Sequence, residues 1–264
     1  MARVEVVSKK RIISFETIKS PHFITTIDHG PFSACTLPDE CRNGFLPFLN
    51  DLFGPNQGVI SILPQHGKKI ILVNRKTEIT STPGDGLCYT HFLGDNHSGK
   101  ILAGTTGNCP YLLIEGQVNQ QKIVVLAHSG WQGTLNNIAG KSIAILTKNA
   151  QIPINKIHVG LWPGICPDCY EVGDDVFSSF NKKSNWTANF FHYNSAKSEP
   201  EKDRWDLDIA GIITNQLLGV GLTKNQIEVA PFCSCCTLDL RKNSLFYSLR
   251  GRQETARNAI FLMA

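Results

Sequence analysis

Short apolar runs rich in β-branched residues, each bounded by polar or glycine-containing turns, constrain the fold of this chain most strongly. Runs of this length and composition predict β-strands, and the predicted strands are Val59–Leu63, Ile70–Val73, Tyr111–Ile114, Ile123–Ala127, Ile157–Leu161 and Ile227–Ala230. Segments with helical periodicity predict helices at Leu135–Ala150, Arg204–Leu218 and Ala256–Met263. The polar stretch Asn181–Asp203 is interpreted as a surface excursion. The irregular alternation of strands and helices indicates one α+β or mixed α/β domain over residues 1–264.

The composition excludes several classes of protein. Hydrophobic residues make up 42% of the chain and charged residues only 18%, which suits a large buried core rather than a disordered chain. The net charge of +4 is spread thinly, without the dense basic stripe of a nucleic-acid-binding protein. No apolar run approaches the about 20 residues of a membrane span, and Met1–Phe15 lacks the apolar core of a signal peptide.

The nine cysteines bear on the compartment in which the protein works. An odd number of cysteines cannot all pair, and the chain is too long for a small fold held together by disulfides. Reduced thiols in a cytoplasmic protein are the favoured interpretation, with some of them buried as small apolar side chains. We therefore expect a cytoplasmic protein that binds neither nucleic acid nor membranes.

Three polar segments at predicted strand ends carry the residues that are suited to chemistry. They are Pro64–Gly67, Thr105–Pro110 and Ala127–Gly133, and each places one metal-binding or nucleophilic side chain near a glycine. Two imidazoles and a thiolate, from His66, Cys109 and His128, would suit an open zinc site with a fourth position for water or substrate. The same three residues would also suit a cysteine nucleophile with a histidine base. Their spacings of 43 and 19 residues match no short zinc-binding pattern, so both alternatives stay open at this point.

The order of motifs along nearly the whole chain resembles the laccase-domain family, whose members are described as multicopper polyphenol oxidoreductases and as multifunctional purine nucleoside phosphorylases. The longest matching segment is G-L-W-P-G-I-C-P-D-C-Y-E-V-G at Gly160–Gly173. The other matching segments are Phe23–Ser33, Pro64–Gly67, Gly84–Leu87, Thr106–Pro110, His128–Gly133, Trp205–Ala210, Phe246–Arg250 and Thr255–Arg257. The resemblance implies one α+β domain with mixed β-sheets flanked by helices.

The resemblance also implies a metalloenzyme. In the family a His-Cys-His metal site carries the activity, and it maps onto His66, Cys109 and His128, with zinc as the expected ion and copper as the alternative. The implied reactions are phosphorolysis of adenosine, inosine, guanosine and methylthioadenosine, together with deamination of adenosine. Copper-dependent oxidation of phenols is the alternative activity. Purine nucleoside and phosphate are therefore the expected partners, and the protein is expected to be a monomer or a homodimer.

Residues near these motifs are candidates for binding the substrate. Arg250 keeps the arginine of a family motif and is the first candidate for holding phosphate, since a guanidinium pairs well with phosphate oxygens. Lys68 and Arg252 are weaker candidates for the same role. Trp131 and Tyr170 are candidates for stacking on a purine, although aromatic residues beside glycine are more often packing residues.

Two departures from the family pattern bear on activity. Asn108 stands where the family has Asp beside the cysteine ligand, and an amide cannot act as a base. Gln132 stands where the family has Arg, and glutamine cannot supply its charge. A relative that keeps the metal but has weak or no catalysis is therefore a further alternative.

Five other cysteines form two close groups in the sequence. Cys166 and Cys169 form a C-x-x-C pair, and Cys233, Cys235 and Cys236 lie about 64 residues further along the chain. A structural zinc site or a redox-labile cluster would use such pairs. Packing thiols that lie near one another in space are the favoured interpretation.

Overall fold

The computed structural model describes residues 1–7, 10–33, 45, 47–51, 58–74, 76–77, 81–92, 100–162, 164–199 and 202–263. Its strands are β1 (Arg3–Val7), β2 (Lys10–Ser14), β3 (His22–Thr25), β4 (Gly58–Leu63), β5 (Ile70–Val73), β6 (Ser81–Pro83), β7 (Gly86–Phe92), β8 (Lys100–Thr106), β9 (Tyr111–Val118), β10 (Gln121–His128), β11 (Ile157–Trp162), β12 (Glu171–Gly173), β13 (Phe191–Tyr193), β14 (Arg204–Leu207), β15 (Ile227–Val229) and β16 (Asn258–Met263).

These strands form three β-sheets. A seven-stranded sheet has the order β1-β2-β3-β16-β8-β4-β6, and a six-stranded sheet has the order β15-β11-β9-β10-β7-β5. Both contain parallel and antiparallel pairs. In the seven-stranded sheet β8 is parallel to β4 and antiparallel to β16, and in the six-stranded sheet β7 is parallel to β5 and antiparallel to β10. The third sheet is small, with the order β12-β14-β13.

Short helices complete the fold. The α-helices are α1 (Trp131–Leu135), α2 (Ile138–Ala144), α3 (Asp174–Lys183), α4 (Ile209–Gly219) and α5 (Leu249–Arg252), and residues 47–51 are also helical. Single turns of 3-10 or π type lie at Ile27–His29, Ile145–Asn149, Ile154–Lys156, Pro167–Cys169, Asn185–Phe190 and Lys224–Gln226. The expected α+β class, with mixed sheets flanked by helices, is confirmed. No helix in the described ranges is both long and apolar enough to span a membrane.

The core lies in three layers of buried side chains. The layer between the two large sheets contains Ile60 and Ile260 from the seven-stranded sheet and Leu113 from the six-stranded sheet. A second layer fills the space between the outer face of the six-stranded sheet and helices α2, α3 and α4. A third covers the outer face of the seven-stranded sheet, where Phe45 and Leu49 pack against its strands. Both large sheets are therefore buried on two faces.

Burial on two faces explains the apolar runs in the sequence. Along β10, Ile123, Val125 and Ala127 point into the layer between the six-stranded sheet and the helices, whereas Val124 and Leu126 point between the two large sheets. Successive side chains of a strand point to opposite faces, so a strand covered on both sides needs apolar residues at every position. Each such side chain contributes about 1.5–3 kcal/mol of transfer free energy on burial.

All six predicted strands are present, but the prediction of a final helix over Ala256–Met263 is wrong. Asn258–Met263 is strand β16, which lies between β3 and β8 and is antiparallel to both. Ile260 belongs to the layer between the sheets, and Phe261 belongs to the layer that covers the outer face of the seven-stranded sheet. This run is therefore buried on both faces. A continuous apolar run of this length fits a buried strand as well as a helix, and the pairing partners decide between them.

The other two predicted helices have different bounds. The segment Arg204–Leu207 is strand β14, and helix α4 begins at Ile209 after Asp208, whose carboxylate accepts the Gly211 N–H at 2.8 Å as an N-terminal cap. The predicted helix Leu135–Ala150 is divided into the end of α1, helix α2 and a π turn. The division occurs at Asn137, which has a left-handed backbone with φ of 55°.

The polar stretch 181–203 is only partly the surface excursion that its composition indicates. It contains the end of α3, a 3-10 turn and strand β13. Phe190 and Phe191 of this stretch pack in the core layer between the six-stranded sheet and the helices. Residues 200–201 lie outside the described part of the chain.

An ion pair joins the start of β2 to the turn that follows β3. The Asp28 carboxylate accepts hydrogen bonds from Arg11 Nε at 2.6 Å, from Arg11 Nη2 at 2.7 Å and from the Arg11 backbone N–H at 3.1 Å. These hydrogen bonds lower the pKa of Asp28 to about 2. Because this pKa lies below its value in the unfolded chain, the ionised carboxylate stabilises the fold above about pH 4, and this contribution disappears as the pH falls through about 2.

We expect Asp28→Asn to lower the free energy of unfolding by about 1–2 kcal/mol at pH 7, because the side chains of both partners are mostly buried. Urea denaturation at a series of pH values measures the effect. The difference between variant and wild type should shrink below pH 4, and Asp203→Asn, at an exposed site, is the matched control. An equal deficit at pH 7 and pH 2.5 would contradict the assignment.

Candidate functional site

Three loops at strand ends bring His66, Cys109 and His128 together. His66 follows β4, Cys109 lies in the turn between β8 and β9, and His128 is the last residue of β10. One ligand atom from each of the three residues lies within 4.8 Å of the other two. The imidazole rings of His66 and His128 are nearly perpendicular, with centroids 5.2 Å apart. The spacing of the three atoms allows one metal ion to bind between them.

Backbone constraints at two residues shape this group. His66 has a left-handed backbone with φ of 58°, which is uncommon for a side chain other than glycine and places its imidazole beside the other ligands. Gly130 lies among the three ligands, since a Cβ added there would lie 3.3 Å from His128 Cε1, 3.3 Å from His66 Cδ2 and 3.5 Å from Cys109 Sγ. Any larger residue at position 130 would take the space beside the ligand atoms.

Asp85 connects two of the ligand loops and is almost completely buried, with 1% of its surface exposed. Its carboxylate accepts the backbone N–H of Gln65 at 3.0 Å and of Lys69 at 3.4 Å, on either side of His66. Its backbone carbonyl accepts the N–H of His128 at 2.7 Å. One residue therefore fixes the loop of the first histidine and the strand end that carries the second.

The chemistry of the donor atoms fits a divalent metal ion. His128 Nδ1 is buried and has no hydrogen-bond partner in the described part of the chain. Burial, with a smaller contribution from nearby His66, lowers the pKa of His128 to about 3, so its imidazole is neutral at pH 7 and keeps a lone pair. Burial raises the pKa of the Cys109 thiol to about 11, an effect opposed by Arg257 and Arg250. A bound cation would favour the thiolate, and two imidazoles with one thiolate suit zinc or copper.

The group lies on the wall of a cavity of about 680 Å³, a volume typical of small-molecule sites. His66 is exposed, Cys109 is half-buried and His128 is buried, so the ligands face the cavity from one side. The wall is largely apolar, and its apolar side chains are Leu63, Pro64, Pro83, Pro110, Ile165, Tyr170 and Leu249. Two guanidinium groups, from Arg250 and Arg257, also line it.

Arg250 and Tyr170 form one side of the cavity. The Arg250 guanidinium lies over the Tyr170 ring, 5.5 Å from its centroid, and Arg250 Nη1 donates to the Glu171 carbonyl at 3.0 Å. Burial raises the pKa of Tyr170 above its usual range, so the phenol stays protonated. Both residues were predicted from sequence to contact the substrate, and both line the cavity.

Asn108 lines the cavity, and its side chain makes three hydrogen bonds to the surrounding loops. Its Nδ2 donates to Ser234 Oγ at 2.9 Å and to Ser248 Oγ at 2.8 Å, and its Oδ1 accepts the backbone N–H of Arg250 at 2.7 Å. The neighbouring Gly164 has φ of 72°, and a Cβ there would lie 2.0 Å from the Asn108 carbonyl oxygen. The Asn108 amide therefore holds the loops of Cys109 and Arg250 together.

Four residues that the sequence indicated are not among the described residues that line this cavity. One of them is Arg252, whose guanidinium pairs with Glu254 and donates to the Cys235 carbonyl at 3.0 Å. Trp131 packs against the core layer between the six-stranded sheet and the helices. Neither Trp131 nor Lys68 is among the described residues that line the cavity. The backbone carbonyl of Lys68 accepts a hydrogen bond from Lys141 Nζ at 2.9 Å. Gln132 is exposed at the start of helix α1, also outside the cavity lining.

Sequence reasoning gave no role to Arg257 or Asp85. Arg257 lines the cavity, and its Nη1 donates to the carbonyls of Glu254, Thr255 and Ala256. Both residues lie in segments that match the family, Thr255–Arg257 and Gly84–Leu87, so the motifs contained the signal. Their positions could not be inferred because distances along the sequence do not show which loops meet in space.

Comparison with known proteins places the chain in a family. A family model described as multi-copper polyphenol oxidoreductase laccase matches residues 48–264. The chain belongs to this family. Among relatives of this laccase family, a purine nucleoside phosphorylase of Deinococcus radiodurans is 30% identical over 81% of this chain and 79% of its own length.

Two other members of the laccase family match over shorter regions. The adenosine deaminase RL5, from an unknown prokaryotic organism, is 27% identical over 58% of this chain, and the purine nucleoside phosphorylase YlmD of Geobacillus stearothermophilus is 30% identical over 69%. The matches span 53% and 61% of the lengths of those two relatives.

Two solved structures share the fold. The crystal structure of YlmD from Geobacillus stearothermophilus superimposes with a TM-score of 0.76 over 98% of both chains, at 22% identity. The crystal structure of the hypothetical protein YfiH from Bacillus licheniformis gives a TM-score of 0.75 over 96% of both chains, at 19% identity. The described part of the chain therefore has the fold of these two proteins.

We expect Asp85→Asn to weaken metal binding at the His66–Cys109–His128 group by about 10-fold, because an amide nitrogen cannot accept one of the two backbone N–H groups that fix the His66 loop. Competition for the metal with a chromophoric chelator measures the affinity. Asp203→Asn, at an exposed site, should bind as the wild type does. Unchanged affinity in Asp85→Asn would show that the buried carboxylate does not position the ligands.

Proposed function

We propose that this protein is a purine nucleoside phosphorylase that also deaminates adenosine, with its active site at the His66–Cys109–His128 group. The observation that carries the proposal is the position of these three ligands on the wall of a largely apolar cavity that also contains two guanidinium groups. The named activities of the relatives support the same reactions. The proposed substrates are adenosine, inosine, guanosine and methylthioadenosine, with phosphate as the second substrate.

Zinc is the proposed cofactor, held by one nitrogen each of His66 and His128 and by the sulfur of Cys109. Three protein ligands are typical of catalytic zinc sites, and the ion would supply Lewis-acid activation of water or substrate there. Copper is the alternative ion, because the same ligand set binds it. Reduced thiols on the seven described cysteines agree with a proposed cytoplasmic location.

The cavity offers separate places for the two substrates of phosphorolysis. In that reaction a phosphate oxygen forms a bond to the ribose C1′ while the bond from C1′ to the purine N9 breaks, and the bonding electrons leave with the purine. Arg250 and Arg257 would bind the phosphate oxygens and offset their charge, as guanidinium groups commonly do. Each arginine uses one terminal nitrogen on backbone carbonyls, which fixes its guanidinium in place.

The purine would lie against the apolar wall. Tyr170 and Leu249 offer flat or apolar surface there, and the protonated Tyr170 hydroxyl can donate a hydrogen bond to a ring nitrogen. Deamination of adenosine would use the same position of the purine. In that reaction water attacks the purine C6 and ammonia leaves. The two reactions therefore differ both in the attacking group and in the carbon attacked, which is the ribose C1′ for phosphate and the purine C6 for water.

Two alternatives agree less well with the geometry. Oxidation of phenols by oxygen usually needs several copper ions, whereas the cavity wall in the described ranges holds one group of three metal ligands. A relative with weak or no catalysis was suggested by Asn108 and Gln132. Gln132 lies outside the cavity lining in the described part of the chain, so its side chain is not placed to contact the substrates. Asn108 lines the cavity, and its hydrogen bonds to Ser234 and to the Arg250 N–H give its amide a structural role there.

Incubation of the purified protein with adenosine, with and without phosphate, tests the proposal. We expect adenine and ribose 1-phosphate only when phosphate is present. Inosine is expected in both cases, with part of it converted to hypoxanthine when phosphate is present, as measured by liquid chromatography. Cys109→Ala should abolish both products, because the metal loses its thiolate ligand. Absence of both products from metal-loaded wild type, together with oxygen-dependent oxidation of a phenol, would favour the oxidase alternative instead.

We expect Arg250→Ala to raise the KM for phosphate by about 10- to 100-fold, since a charge-assisted pair contributes about 1.5–3 kcal/mol. Arg250→Lys should restore part of this loss, and Arg241→Ala, at an exposed site, should leave phosphorolysis unchanged. Deamination, which needs no phosphate, should fall much less in Arg250→Ala. Steady-state rates at varied phosphate measure both effects, and an unchanged phosphate KM would show that Arg250 does not bind phosphate.

A further inference from the structure

Four cysteines form a second cluster, away from the histidine ligands. Cys166 precedes the 3-10 turn between β11 and β12, and Cys169 is its last residue. Cys233 and Cys236 lie in the turn that follows β15. The four sulfur atoms all lie within 4.8 Å of one another, although the two pairs are far apart in the sequence. Each pair has C-x-x-C spacing, which places two thiols on one side of a tight turn.

We propose that Cys166, Cys169, Cys233 and Cys236 bind a structural zinc ion as a tetrathiolate site. Zinc is bound tetrahedrally by thiolates at about 2.3 Å, which places neighbouring sulfur atoms about 3.8 Å apart. The Sγ atoms of Cys166 and Cys236 are 3.7 Å apart, which fits this geometry and is far longer than a disulfide bond of about 2 Å. All four protein ligands are present, so the site is closed and suits a structural rather than a catalytic ion.

Backbone N–H donors favour the thiolate form of Cys233, the buried cysteine of the cluster. Cys233 Sγ accepts the N–H of Cys166 at 3.2 Å and the N–H of Cys235 at 3.3 Å. Such N–H groups orient a ligand sulfur and offset part of its charge when a metal is bound. The remaining cysteine of the turn, Cys235, is not part of the four-sulfur group and provides a comparison at the same place.

The ion would join the turn that carries Cys166 and Cys169 to the turn that carries Cys233 and Cys236, and both turns support the active-site cavity. Ile165 and Tyr170, which line the cavity, are the direct neighbours of Cys166 and Cys169. On the other turn, Ser234 lies beside Cys233 and accepts the hydrogen bond from Asn108. The proposed zinc site therefore holds the loop of Tyr170 against the loop that anchors Asn108. It acts on cavity structure, and it does not depend on which reaction the cavity performs.

Metal analysis of protein purified from zinc-supplemented cells tests the site. We expect about two zinc ions per chain in the wild type and about one in Cys109→Ala, which disables only the histidine-containing group. The double variant Cys169→Ser/Cys236→Ser should also hold about one, and the matched control Cys235→Ser about two. Iron in place of zinc, or loss of one ion in Cys235→Ser, would overturn the proposed ion or ligand set.

Cobalt substitution keeps the test decisive if the double variant does not fold. In the Cys109→Ala background, the remaining cobalt ion should give the strong visible bands and sulfur-to-cobalt charge transfer of a tetrahedral tetrathiolate. Thiol titration of the wild type after denaturation in chelator should find all nine cysteines reduced. Absence of these bands, or fewer reactive thiols because a disulfide joins two of the four, would contradict the proposal. Neither readout uses nucleoside, so the reaction proposed above can fail without affecting this result.

Discussion

The hydrogen bonds of Asp85 hold the candidate active site together. Its carboxylate fixes the loop on both sides of His66, and its carbonyl accepts the N–H of His128 at the end of β10. Without this residue the two imidazoles would belong to loops with no common support. A buried carboxylate with several backbone donors is expensive to remove, since each lost partner leaves a buried polar group unpaired. The rigidity that metal ligands need is therefore provided by backbone hydrogen bonds rather than by the ligand side chains themselves.

The two large sheets determine where these loops lie. Side chains of both sheets fill a shared core layer, and strands β4, β9 and β10 have their ligand-bearing ends at the same edge. The cavity forms at this edge because the loops beyond the strand ends carry polar residues and glycines that cannot join the core. Gly130 and Gly164 leave the space for close approach, the first among the ligand atoms and the second against the backbone of Asn108. The core thus supplies a fixed frame, and the loops supply the chemistry.

The two cysteine-containing groups have different roles in this frame. The group with Cys109 has three ligands and faces the cavity, as a site that exchanges water or substrate must. The proposed tetrathiolate site has four ligands and lies behind the cavity wall, where it joins two turns of separate strands. Asn108 connects the two regions, since it neighbours Cys109 and donates to Ser234 beside Cys233. Asn108 therefore lies at the junction of the two groups.

The sequence by itself determined the six predicted strands, the α+β class and the three ligands of the metal group, because strand composition and local motifs are properties of neighbouring residues. The final strand, Asn258–Met263, was predicted as a helix, since a run buried on both faces has no periodicity that separates the two. Only the tertiary structure decided that Arg257 lines the cavity and Trp131 does not, and that four distant cysteines meet. These facts depend on which strands pair and which loops meet beyond their ends, and such contacts join residues far apart in the chain.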